Sequence, residues 1–210
     1  MISSRRLAAC AVIVWAAPAL AQTPSSEDGD QPATPAALAA DAAAAFGPAL
    51  DEAAPEFTAL NGAGVEQSLS QLTAEQGLVL YFNRSLDWCP ICVRQTLELD
   101  AAADAFVQAG WAVAVLTYDT VDTLAEVKDR RGLGVTVLSD PDSVIIDAFG
   151  VRDPIYANPD HLAYGVPYPI AFAIRSDGTI AGKYWHEAGL GQERGYAVRV
   201  SAEDVLADLD

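Results

Sequence analysis

The chain has 210 residues, with 29 acidic against 12 basic side chains and a formal net charge of −17. So acidic a chain is not built to bind nucleic acid, where Lys and Arg must neutralise phosphates, nor to lie on an anionic membrane surface. The charge favours solubility and leaves the fold open.

Residues 1–21 have the pattern of a secretory signal. Arg5 and Arg6 give a positive start, LAACAVIVWAA a short apolar core, and Ala19-Leu20-Ala21 a small-residue cleavage site before Gln22. The core is short for a membrane span, so cleavage and an exported, periplasmic or extracytoplasmic, location are expected, with an uncleaved anchor as the alternative. Cleavage removes Cys10 and leaves two cysteines. Residues 22–50 read as a disordered or partly helical linker: QTPSSEDGDQPATPAA is polar and Pro-rich, and an Ala-rich stretch follows. One folded domain is expected over residues 51–210, long enough for a single core.

Within it, Pro55 to Leu60 alternates like a strand, with a turn at Asn61-Gly62, and Ser68 to Leu72 reads as a helical turn. Leu78 to Phe82 is a short continuous apolar run, the signature of a strand covered on both faces. Trp111 to Leu116 reads as a second such strand, 122–131 as a helix closed by Gly132, and Val135 to Leu138 as a third strand. Val144 to Phe149 reads as a short helix and 151–168 as irregular. Ile170 to Arg175 and Thr179 to Trp185 flank Ser176-Asp177-Gly178, a hairpin signal. Ser201, with Asp204 three residues on, caps a closing helix. This order predicts an α/β sandwich with a mixed central sheet.

The chemistry centres on Asp87-Trp88-Cys89-Pro90-Ile91-Cys92, between the Leu78–Phe82 strand and a helix. Cys92, Leu99, Ala103 and Phe106 fall on one stripe of that helix, and Pro90 suits its first position. Cys89 then sits at the helix N-terminus, where unpaired N–H groups and the helix dipole favour a thiolate. A disulfide closing so small a loop barely constrains the unfolded chain, which argues for redox chemistry over a structural staple. Arg84 and Arg94 are close in sequence; solvated surface charge is the plainer expectation for each.

The strand–WCxxC–helix unit, Leu138-Ser139-Asp140-Pro141, the Pro-containing turn and the Phe172-Ala173-Ile174-Arg175-Ser176-Asp177-Gly178 hairpin resemble the thioredoxin-fold redoxins. Within them the chain is most similar to the AhpC/TSA (peroxiredoxin-like) group, with a TlpA-like active site. The resemblance implies a thioredoxin-like α/β/α sandwich from about Pro55 onward. It implies a cis bond between Tyr168 and Pro169, and places both residues, with Trp88, around the cysteines. A peroxiredoxin site reads PxxxTxxC; counting back from Cys89, Leu86 stands in the Thr position and Phe82 in the Pro position. The Arg that peroxiredoxins carry near the Pro169 position is absent.

Three readings follow. In the first, Cys89 attacks a disulfide and Cys92 displaces the partner, as in a thiol-disulfide oxidoreductase. In the second, a hydroperoxide oxidises Cys89 and Cys92 resolves the sulfenic acid, as in a thiol peroxidase. In the third, the pair is a metal-binding, copper-delivery module with a histidine; only His161 and His186 are available, both distant in sequence. No nucleotide, flavin or other cofactor site is expected. The partners expected are protein or small-molecule thiols and disulfides, and hydroperoxides in the second reading.

Overall fold

A computed structural model describes residues 46–209. Seven strands form one mixed sheet: β1 (Thr58–Asn61), β2 (Glu66–Ser68), β3 (Gly77–Phe82), β4 (Trp111–Thr117), β5 (Thr136–Ser139), β6 (Ile170–Arg175) and β7 (Ile180–Trp185), in spatial order β2-β1-β5-β4-β3-β6-β7. β3, β4 and β5 are parallel, and the flanking β1, β6 and β7 run antiparallel to their neighbours. The helices are α1 (Leu69–Leu72), α2 (Pro90–Gln108), α3 (Val121–Arg131), α4 (Val144–Ala148) and α5 (Ala202–Leu209). This is the expected α/β sandwich of thioredoxin type.

The apolar run at the centre is buried along its whole length in β3, because both faces are covered. Side-chain alternation divides it. Leu78, Leu80 and Phe82 join α4 residues Ile145 and Ile146 and Phe149 in one core layer. Val79 and Tyr81 face the other, made with Cys92, Leu99 and Phe106 of α2, Leu124 and Val127 of α3, and Val205 of α5. At the start of β3 only a glycine fits: a Cβ on Gly77 would run into the Ile174 carbonyl and the Trp111 ring. Gly132 stops α3 in the left-handed conformation at φ 67°, its N–H donating to the Lys128 carbonyl.

The sequence-based elements are found with boundaries shifted by a few residues. β1 begins at Thr58, because Pro55 to Phe57 lie outside the ladder. Ser68 caps α1 through a full capping box with Gln71. The short β2, all three of whose residues are polar, has no apolar pattern to announce it. Residues 1–21 and most of the 22–50 stretch lie outside the described residues. Packing nevertheless begins before Asp51: Phe46 is buried, stacked on Trp185 at 5.1 Å and edge-on to Tyr168 at 6.0 Å. The linker expectation therefore runs too far at its C-terminal end, since one aromatic in a small-residue stretch carries no period. Among the described residues no helix is long and apolar enough to cross a membrane.

Truncating Phe46 removes this lid over the Tyr168–Trp185 layer. Phe46→Ala is expected to destabilise the domain by about 2–4 kcal/mol. Chemical denaturation compared with the parent chain checks this; an unchanged midpoint would show that the N-terminal segment adds nothing to the core.

Candidate active site

The site forms where β3 ends and α2 begins, at the carboxyl end of the parallel strands. The link between them, Asn83 to Leu86, is buried, so its polar groups need partners. Asp119, just past β4, takes two of them, from Ser85 and Leu86. Its carboxylate accepts from the Leu86 N–H at 2.7 Å, the Ser85 hydroxyl at 2.7 Å and the Thr117 hydroxyl at 3.0 Å. Ser85 Oγ in turn accepts from the Asp87 and Trp88 N–H groups at 3.0 and 3.3 Å. Burial pushes the Asp119 carboxyl pKa up, against the three donors that pull it down.

This clamp delivers Cys89 to the N-cap of the 19-residue α2, with Pro90 at its first turn. Cys89 Sγ accepts from the Cys92 N–H at 3.4 Å, and the two cysteines form a disulfide with Cα atoms 5.3 Å apart. Cys89 is 3% exposed and Cys92 fully buried. Cys89 alone of the pair reaches the outside, through an open cavity of about 470 Å³ lined by Arg84, Trp88, Tyr156, His161 and Arg194 among others.

Arg84 is not the solvated surface charge expected of it. It is 3% exposed, with its guanidinium 4.0 Å from the Tyr196 ring centre, 4.6 Å from Tyr156 and 5.2 Å from Trp88. Its Nε has no hydrogen-bond partner, and among the described residues it makes no ion pair. Arg94 does follow the plain expectation, exposed and 3.7 Å from Glu98 one turn along. Asp87 is exposed as well. Trp88 is 44% exposed at the cavity wall, its indole N–H donating to the Tyr118 hydroxyl at 2.9 Å.

A second guanidinium was invisible to sequence spacing. Arg199, 107 residues from Cys92, places Nη2 3.3 Å from Cys92 Sγ; Nη1 donates to Asn83 Oδ1 at 2.7 Å and Gln95 Oε1 at 3.1 Å. Burial, with Arg84 nearby, pushes its pKa down to about 10. The only sequence sign was an Arg just before the final helix, in a chain poor in basic residues.

Two expectations about the turn before β6 are corrected. No peptide bond among the described residues is cis, so the Tyr168–Pro169 bond is trans. Tyr168 does not line the Cys89 cavity. Strand alternation puts it with Ile170 and Phe172 in the opposite core layer, its hydroxyl donating to the His186 carbonyl at 2.8 Å. Pro169 keeps the parity of Ala171 and Ala173, the cysteine side, and borders a small void shared with Gln95 and Arg199. His161 reaches the Cys89 cavity despite its distance in sequence, while His186 does not. Among the described residues no group of three His, Cys, Asp or Glu side chains could hold a metal ion.

Comparison with known proteins agrees with this architecture. Residues 50–183 match the AhpC/TSA family. The chain belongs to the AhpC/TSA family. It is thus an oxidoreductase of thiol chemistry, built on the thioredoxin-like fold. A Haemophilus influenzae protein named for peroxiredoxin bcp is 29% identical over 129 residues, 60% of this chain and 79% of that one. A peroxiredoxin-named protein of Mycobacterium tuberculosis is 29% identical over 97 residues, 46% of this chain and 60% of its own. Among solved structures, peroxidoxin BcpB of M. tuberculosis superposes with a TM-score of 0.61 at 20% identity, covering 76% of this chain and 95% of its own. PrxQ of Xylella fastidiosa gives 0.58 at 23% identity, covering 78% and 94%.

The Asp119 clamp generates a stability prediction. Asp119→Asn replaces one accepting oxygen by a donor and leaves a buried N–H or hydroxyl unsatisfied. It is expected to cost about 1–3 kcal/mol, read from thermal or chemical unfolding. An unaltered stability would mean that water or the loop itself satisfies those donors.

Proposed function

We propose that this protein is an exported, thiol-dependent peroxidase that reduces hydroperoxides through Cys89 and resolves the product through Cys92. The observation that carries the reading is Cys89 at the N-terminus of α2, opening on a cavity that contains the Arg84 guanidinium, in a chain of the AhpC/TSA family. The relatives named as peroxiredoxins support the same choice. The signal-like pattern of residues 1–21 supports an extracytoplasmic setting.

In the proposed cycle the Cys89 thiolate attacks the terminal peroxide oxygen. The S–O bond forms, the O–O bond breaks, and the leaving alkoxide or hydroxide takes a proton to depart as alcohol or water. The helix N-terminus favours the thiolate, and Arg84 puts positive charge where the leaving oxygen becomes negative. Cys92 then attacks the sulfenic sulfur, forming the disulfide and releasing water. Two equivalents of an external thiol, or one dithiol, return two electrons and two protons. Trp88 and Pro90 border the reacting sulfur.

A second reading, thiol-disulfide exchange through the same pair, is favoured by one observation. Leu86 occupies the place of the Thr hydroxyl in the peroxiredoxin pattern, and the neighbouring Ser85 hydroxyl is committed to Asp119. Both activities are measured on one sample of the full chain. The peroxidase reading expects catalytic, hydroperoxide-dependent consumption of a thiol reductant, abolished in Cys89→Ser. In Cys92→Ser it expects a sulfenic acid trapped on Cys89 by a dimedone-type probe. Insulin reduction at a high rate, with only stoichiometric oxidation by peroxide, would give the function to disulfide exchange instead.

A further inference from the structure

We propose that Arg199 is the counter-charge of the Cys92 thiolate: it lets the fully buried resolving cysteine ionise once Cys89 has become a neutral sulfenic acid. The geometry begins with a mismatch of charge. Arg199 is partly buried, and its three hydrogen bonds go to Asn83 Oδ1, Gln95 Oε1 and Cys92 Sγ, two neutral amides and a sulfur. Among the described residues it makes no ion pair, and its Nε is shut off from solvent without a partner. The strongest charged and titratable influences on it are Arg84, Tyr168, Arg94 and Tyr196, while the nearby buried carboxylate Asp153 acts on Arg84 and Tyr168. A guanidinium held against a disulfide with no anion beside it is costly. One atom in its shell can become an anion, and that is Cys92 Sγ.

The chemistry of Cys92 needs such help. It is fully buried, which by itself raises a thiol pKa. It also sits one turn into α2, away from the N-cap position that serves Cys89. Two adjacent thiolates repel, so ionisation of the reduced pair is coupled. After peroxide attack Cys89 is neutral. The Cys92 proton then leaves, the thiolate pairs with Arg199, the S–S bond forms, the sulfenic S–O bond breaks, and the departing hydroxide takes up a proton as water. Arg199 lies beyond residue 183, where the match to the family ends. The inference applies to peroxide reduction and to disulfide exchange alike, because in both the second sulfur must attack.

The test uses the full-length chain and two readouts that do not depend on peroxidase activity. In Cys89→Ser, which keeps position 89 neutral, thiolate ultraviolet absorbance followed against pH should place the Cys92 pKa below the ordinary thiol value of about 8.5. Adding Arg199→Met should raise it by a unit or more, a change of tenfold or greater in ionisation. In the chain with both cysteines, Arg199 stabilises the reduced, ionised form, so Arg199→Met should shift the reduction potential to more negative values. A tenfold effect corresponds to about 30 mV. Arg199→Lys should keep part of both effects, and Arg131→Ala, exposed at the far end of α3, should change neither. A Cys92 pKa at or above the ordinary thiol value in Cys89→Ser would overturn the proposal even if Arg199→Met does not fold. So would an unmoved potential in a folded Arg199→Met.

Discussion

The grip of Asp119 on the Ser85–Leu86 turn is the interaction on which the site depends. β3 and α2 would be adjacent without it, since both are set by their apolar patterns. What the carboxylate adds is the path between them. By accepting from Leu86 N–H, Ser85 and Thr117 together, it fixes where the chain turns and hence which residue caps α2. That residue is Cys89. A turn closed one residue earlier or later would rotate the sulfur by about 100° around the helix axis, away from the cavity. The clamp spans β3 and β4, so the register of the parallel ladder is transmitted to the reactive sulfur through one buried side chain.

Charge around the dithiol runs against the rest of the molecule. A chain with net charge −17 gathers Arg84 and Arg199 at its sulfurs and pairs neither with a carboxylate among the described residues. Arg84 is held by aromatic faces, with the buried Asp153 carboxylate close enough to feel its charge but outside ion-pair distance. Arg199 is held by amide oxygens, which supply attraction without cancelling the charge. Both arrangements keep positive potential available to an anion that appears only during reaction. The two guanidiniums also divide the work in space. Arg84 borders the cavity that opens on Cys89, and Arg199 lies behind, against Cys92.

Much of this was legible in the sequence where one local signal sufficed. The β3 run, the cysteine at the helix start, the Gly132 stop, the hairpin at Ser176-Asp177-Gly178 and the Ser201 cap each announce themselves within a few residues. What escaped depends on tertiary packing. Arg199 reaches Cys92 only because the segment before α5 returns to the cysteine helix, and no spacing encodes that return. Arg84 reads as a surface charge until the neighbouring Trp88 and the distant Tyr156 and Tyr196 rings close over it. Phe46 lacks a periodic neighbourhood, and β2 lacks apolar residues. The Tyr168–Pro169 expectation was different in kind. It came from a family resemblance, and the alternation of β6 could have limited it: if Ile170 and Phe172 face one layer, Tyr168 must join them and only Pro169 can face the cysteines.

The position of Arg199 also bears on how a thioredoxin-like dithiol can serve a peroxidase. Peroxiredoxin patterns place a hydroxyl and an arginine near one sulfur, and this chain has Leu86 and Pro169 in those places. The positive charge is nonetheless present at the dithiol, delivered from the cavity wall by Arg84 and from the C-terminal segment by Arg199. The hydroxyl is not restored in the same way, since Ser85 serves the clamp. Electrostatic support is long-ranged enough to be supplied from several backbone positions, whereas a hydrogen bond to a peroxide oxygen needs a group within about 3 Å. The site therefore holds the component that tolerates relocation and lacks the one that does not. Under the proposed peroxidase reading, that asymmetry favours a substrate held chiefly by charge and cavity shape, with less direct hydrogen bonding to the reacting oxygens.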